Sequence, residues 1–268
     1  MCIRDRILVI DPKKEKSLQK KLDRLTKVVL ILFTEGISEI PTYLREALSN
    51  QHLENIPTFS ISNTASITDF LKNTLQKNIP TLNGLVLVGG KSRRMGQDKG
   101  KINYHGKPQR EHAFDLLSTC CKQTFFSCRP EQSADPDLFG MPIIFDNFIG
   151  LGPFGAIASA FRENPNSAWL VVACDLPLLD KDALDFLIQH RDPSKVATAF
   201  NSPDNEFPEP LITIWEPRSY PILLSFLSQG YSCPRKVLIN SDVQLIDAPN
   251  TKVLTNVNSP EDMERLKL

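Results

Sequence analysis

No stretch of this chain is apolar for long enough to cross a bilayer. The longest runs, "VVLILF" and "LVLV", fall far short of the roughly 18–20 residues that a spanning helix needs. The opening "MCIRDRILVID" has neither the apolar centre nor the small-residue cleavage site of a secretory signal, so the expected compartment is the cytoplasm. Charge of one sign is missing too. The 31 basic residues balance 31 acidic ones, which leaves no global field for nucleic acid or an anionic membrane. Any phosphate binding must be local. Six cysteines (Cys2, Cys120, Cys121, Cys128, Cys174 and Cys233) show no CxxC pairing, and the four histidines are scattered. Neither a zinc site nor a disulfide frame is signalled. No repeat or low-complexity tract is present.

What is present is the composition of a folded α/β protein: 41% apolar and 23% charged residues over 268 positions. That length suits one large domain, or a domain plus a smaller piece. Residues 6–78 alternate short apolar runs ("RILVI", "KVVLILF", "IPTFSI") with helical patterns ("KKEKSLQKKLDRL", "SEIPTYLREAL", "ASITDFLKNTLQ"), which predicts βα units and a mostly parallel sheet. This stretch carries no phosphate loop, acid pair or nucleophile. The polar "KNIPTLNG" marks a boundary, giving a partial α/β segment over 1–80 and a second domain over 83–268.

From Gly84 the alternation restarts, and a doubly wound, mostly parallel Rossmann-like sheet is expected. Strands are predicted at "LVLVG", "QTFFSC", "PIIFD", "AWLVVACD", "KVATAF" and "PLITIW". Helices are predicted at "REHAFDLLSTCC", "GPFGAIASAFREN", "DKDALDFLIQH" with Asp180 as its cap, "RSYPILLSFLSQG" and "SPEDMERLKL", where Ser259 and Asp262 form a capping box.

In an open α/β sheet, ligands bind beyond the carboxyl ends of the strands. Those positions here are Gly89 to Lys99, Asp146, Asp175, and Asn256 with Asn258. Gly89 and Gly90 let a backbone approach a phosphate, while Arg94 and Lys99 supply charge-assisted bonds to its oxygens. The spacing is neither GxxxxGK[ST] nor GxGxxG, so the P-loop and dinucleotide readings fail. A solvated basic turn is the plain alternative. Asp175 ends an apolar strand, where a carboxylate is costly unless it faces a cleft or a cation. Beside phosphates it makes sense through a bridging Mg²⁺; the alternative is a turn cap. Asp146-Asn147 fits a turn equally well. Pro153 and Gly155 suggest a tight helix entry that could face an anion.

In order, "LVGGKSRRMGQDKG", "DNFIGLGPFGAI", "VVACDLPLL", "PEPLITIW" and "TNVNSPEDM" resemble the motifs of the molybdenum cofactor guanylyltransferase (MobA) family of nucleotidyltransferases, over residues 83–268. The resemblance implies transfer of GMP from GTP to molybdopterin, with pyrophosphate released and molybdoenzymes downstream. It implies that Leu87, Val88, Gly89 and Gly90 hold the nucleotide, Arg94 and Lys99 the phosphates, Asp146 the nucleoside end and Asp175 the Mg²⁺, with Asn258, and perhaps Asn256, near the metal. Two departures stand out. Val88 replaces a small alanine, and Cys128 stands where the family has an Asn that touches the nucleotide. Cytidylyl transfer, transfer to a sugar phosphate and a non-catalytic scaffold are the alternatives. Residues 1–80 resemble the rear part of a MobB-type GTP-binding adaptor domain without its phosphate loop. The opening "MCIRDR" is similar to junk translation at gene-model ends, so the true start is expected to be lost; alternatively, residues 6–78 form a small sheet with no activity of its own.

Overall fold

The computed structural model of the chain describes residues 32–33, 42–50, 55–60, 62–77, 79–89, 99–203, 205–257 and 259–266. The chain divides into two units, Met1–Ile79 and Pro80–Leu268. In the first, strands β1 (Leu32–Phe33) and β2 (Thr58–Phe59) pair in parallel, Leu32 opposite Thr58. Helix α1 (Thr42–Ser49) lies between them in sequence and α2 (Thr64–Lys77) follows, so the βα alternation read from the sequence is realised there. The predicted strand at "RILVI" and the helix after it lie outside the described residues.

The second unit is built on a sheet of seven strands: β3 (Leu82–Leu87), β4 (Thr124–Cys128), β5 (Ile143–Phe145), β6 (Ala168–Ala173), β7 (Ala197–Asn201), β8 (Pro208–Trp215) and β9 (Val243–Ile246). Their order is β5-β4-β3-β6-β8-β7-β9. β5, β4, β3 and β6 run parallel, β8 is antiparallel to both neighbours, and β9 pairs in parallel with β7. The expected doubly wound, mostly parallel sheet is observed.

Successive side chains in a strand point to opposite faces, and here both faces are covered. Val86, Leu170, Val172, Ile212 and Ile214 pack in one apolar layer with Leu117 of helix α3 (Gln109–Ser118) and Leu184 of α5 (Lys181–Gln189). Leu85, Trp169, Val171 and Trp215 face the other way, onto Phe154, Ile157 and Phe161 of α4 (Pro153–Glu163), Leu223 of α6 (Ser219–Ser228) and Val237 of α7 (Pro234–Ile239). Every residue of β6 is buried, which is why its sequence reads as one apolar run. Asp180 caps α5 through Ala183 N–H at 2.9 Å. Ser259 and Asp262 close a reciprocal capping box at the start of α8 (Pro260–Leu266), with bonds of 3.0 and 3.3 Å.

Candidate active site

Parallel pairing of β3 with β6, Leu87 opposite Ala173, brings the residues that follow the two strands together. The Lys99 Nζ stands 4.0 Å from the Asp175 Oδ2. Lys99 opens a 3₁₀ turn, Lys99–Lys101. The chain beyond it is tied back to the Asp175 side: the His105 imidazole donates to the Pro177 carbonyl at 2.8 Å, and the Gln109 amide to the Leu176 carbonyl at 3.3 Å. Lys101 then joins a partly buried ion cluster. Its ammonium lies 3.3 Å from Asp135 and 2.9 Å from Asp137, and the same two carboxylates receive the guanidinium of Arg110, which is 1% exposed, at 3.0 and 2.8 Å. The cluster therefore fixes the segment that carries Lys99 against the chain between β4 and β5.

Asp175 is held in an unfavourable state. Burial pushes its carboxyl above the ordinary value, the Lys99 charge opposes this, and Glu209 adds to it. Its Oδ1 is buried without a hydrogen-bond partner. An orphaned, hard oxygen beside a lysine suits a divalent cation such as Mg²⁺, which accepts carboxylate, phosphate and water oxygens. Among the described residues no group of three or more His, Cys, Asp or Glu could hold a metal, so an ion at Asp175 would take most of its ligands from substrate and water. The Asp175 carbonyl accepts from Val257 N–H at 2.9 Å, which sets the C-terminal "TNVN" segment against the same strand end. Asn256 is exposed beside it.

At the other side of β3, Asp146 follows β5. Its N–H donates to the Cys128 carbonyl at 2.8 Å and its Oδ1 accepts from the Ser127 hydroxyl at 2.7 Å. Burial raises its pKa, while Ser127 and Arg129 pull it down. Next to it, a Cβ on Gly155 would sit 2.3 Å from the Phe148 carbonyl oxygen, so only glycine lets the "DNFIGLG" loop fold over the start of α4. Gly152, at φ 57°, caps that helix ahead of Pro153.

Of the residues singled out from sequence, Leu87, Val88, Gly89, Lys99, Asp146, Asp175 and Asn256 are described, and all lie around the carboxyl ends of β3, β5 and β6. Gly90, Arg94 and Asn258 lie outside the described residues. Val88 is 4% exposed and its side chain packs in the core. Cys128 is likewise buried in the core. Sequence reasoning missed Tyr104, whose hydroxyl titrates high through burial and the Asp175 charge, and Arg129 with Gln132, which pack beside Gly89. Only Arg129 carried a signal, its position as a cation directly after a predicted strand.

Comparison with known proteins agrees with this layout. Residues 84–244 match the model of the MobA-like NTP transferase domain. The Shewanella amazonensis molybdenum cofactor guanylyltransferase is 30% identical over 193 residues, covering 69% of this chain and 95% of the relative. The molybdenum cofactor biosynthesis bifunctional protein of Synechocystis is 39% identical over 181 residues, covering 68% of this chain; the match spans 52% of that longer protein. Among solved structures, molybdopterin-guanine dinucleotide biosynthesis protein A from Archaeoglobus fulgidus superposes with a TM-score of 0.58 at 25% identity, covering 68% of this chain and 95% of that one. The chain belongs to the MobA-like NTP transferase family.

Proposed function

We propose that the chain transfers GMP from GTP to the terminal phosphate of molybdopterin, forming a molybdopterin guanine dinucleotide and pyrophosphate. The observation that carries this reading is the approach of Lys99 to Asp175 beyond the carboxyl ends of β3 and β6, in a chain related to enzymes named molybdenum cofactor guanylyltransferase. In the reaction an oxygen of the acceptor phosphate attacks the α-phosphorus of GTP. The bond from that phosphorus to the bridging oxygen breaks, and pyrophosphate leaves with the electron pair. The nucleophile is already anionic, so the protein's work is positioning and charge neutralisation. Backbone groups from Leu87 to Gly90 hold the nucleotide, Arg94 and Lys99 neutralise the phosphates, and Asp146 receives the nucleoside end. Asp175, with Asn258, would hold Mg²⁺, which supplies charge stabilisation to the phosphoryl oxygens.

The segment 1–80 we infer to be the rear part of a GTP-binding adaptor domain, in keeping with the βα alternation of β1, α1, β2 and α2. Among the described residues no helix is long and apolar enough to cross a membrane. We infer a cytoplasmic enzyme that hands its product to molybdoenzymes.

Pyrophosphate release measured with molybdopterin as acceptor tests the reading. GTP should react and CTP should not, and Asp175→Ala should cripple turnover with the fold retained. Reaction with CTP and none with GTP would replace the guanylyl reading by the cytidylyl one; release from neither would point to a scaffold.

A further inference from the structure

Arg129 is placed like a ligand-binding group, and among the described residues its guanidinium forms no ion pair. It follows directly on β4, between the end of β3 and the end of β5. Its backbone is fixed: the Gln132 Oε1 accepts from Arg129 N–H at 3.0 Å while the Gln132 amide donates to the Val88 carbonyl at 3.2 Å. Its side chain passes over Gly89, where a Cβ would stand 3.4 Å from the Arg129 Cγ. The Nε is buried and makes no hydrogen bond, and no ion pair forms on the guanidinium among the described residues. Its charge acts on Asp146, whose Oδ1 is already engaged by Ser127.

The sheet order sets the scale. Asp175 follows β6, Gly89 follows β3, Arg129 follows β4 and Asp146 precedes the loop after β5, in the order β6, β3, β4, β5. At about 4.8 Å per strand, the row spans roughly 14 Å from Asp175 to Asp146, the reach of an extended nucleotide. Phosphates gathered by Lys99 beside Asp175 put the base over β4 and β5. There the Arg129 guanidinium is near enough for its charge to act on the Asp146 carboxylate. Guanine matches that pair: N7 and O6 accept from an arginine fork, and the neighbouring N1–H and N2–H₂ donate to a carboxylate. Adenine would turn its N6–H₂ donor toward the guanidinium, and cytosine, with N3 and O2 for the fork, offers the carboxylate only its N4–H₂ where guanine offers both N1–H and N2–H₂. Cys128, turned into the core, leaves this task to its neighbour.

Resting on the guanylyl reading, we propose that Arg129 is a base-reading residue that selects guanine through O6 and N7, with Asp146 on the adjoining edge. Equilibrium binding of GTP, 7-deaza-GTP, ATP and CTP to the full chain, without acceptor, tests it. The wild-type chain should bind 7-deaza-GTP at least about 10-fold more weakly than GTP, since one fork contact is lost. Arg129→Met should weaken GTP by about 10- to 100-fold, leave ATP unchanged, and bind GTP and 7-deaza-GTP alike. Arg129→Lys, which keeps the charge without the fork, should fall between, and it serves if the Met variant does not fold. A wild-type chain that prefers GTP yet binds 7-deaza-GTP equally overturns this inference alone, as does an Arg129→Met chain that keeps GTP affinity and the 7-deaza penalty. A wild-type chain that prefers CTP overturns the guanylyl reading and this inference with it.

Discussion

Asp175 carries a charge that its surroundings disfavour, because burial outweighs the help of Lys99 at 4.0 Å. A carboxyl with a higher pKa in the folded chain than in the unfolded one binds protons more tightly when folded. Its contribution to stability is therefore best in acid and is lost as pH climbs from the ordinary value through the raised one. Asp175→Asn removes that loss. At pH 7 the variant should melt above the wild type, by about 2–4 °C for each kcal/mol recovered, with the gap closing at about pH 4, while turnover disappears. Melting curves at the two pH values, run beside the pyrophosphate assay, check this; a gap independent of pH would mean the carboxyl is not strained. Stability gained where activity is lost marks a residue kept for its chemistry. Lys99 and Asp175 were legible in the sequence because each combines a residue type ill-suited to a core with a place after an apolar run. Arg129 was not, since its meaning depends on β3, β4 and β5 being neighbours, and only the folded sheet settles that.

The elements around the site are held by the ion cluster of Lys101, Arg110, Asp135 and Asp137. Its two carboxylates are unequal. Asp137 is half exposed, whereas Asp135 is largely enclosed and faces the buried guanidinium of Arg110. Exposed pairs contribute about 0–1 kcal/mol, and a buried charge deprived of its partner costs about 3–5 kcal/mol. Asp137→Asn should therefore leave urea denaturation nearly unchanged, and Asp135→Asn should lower the unfolding free energy by about 2–3 kcal/mol, less than the full buried value because Asp137 still pairs with Arg110. The Asp135 variant should also raise the KM for GTP, because Lys101 anchors the turn that presents Lys99. Equal losses from both variants would show that Asp137 shares the load. Elements as strongly patterned as β6 and α4 were readable in advance. Helix α7, six residues long, and the edge strand β9, only partly buried, were not, because each is too short for its periodicity to stand out. The Pro234 that opens α7 was the one available cue.

At the scale of the whole second unit, the two ends of the sheet serve different purposes. The order β5-β4-β3-β6-β8-β7-β9 and the reversed β8 follow from pairings between distant segments, which alternation of apolar runs does not encode. One consequence of that order is a buried clamp at the end opposite the candidate site. Glu216, fully buried just after β8, accepts from Arg191 at 2.6 and 3.0 Å, and Arg191 also donates to the Pro80 carbonyl at 2.9 Å, before β3 begins. The clamp joins the exit of β8, the segment after α5 and the entry to β3. Glu216→Ala leaves a guanidinium that is 9% exposed without its counter-charge, so it should cost about 3–5 kcal/mol in urea denaturation, while replacing both partners by apolar residues of similar volume should cost much less. GTP affinity of the folded variants should stay within about 2-fold of wild type, since additivity holds for sites more than about 10 Å apart with no shared partners. A GTP affinity that falls with Glu216→Ala as it does with Asp135→Asn would mean that the two ends are coupled, and that the clamp sets the spacing of β3 and β6 on which the approach of Lys99 to Asp175 depends.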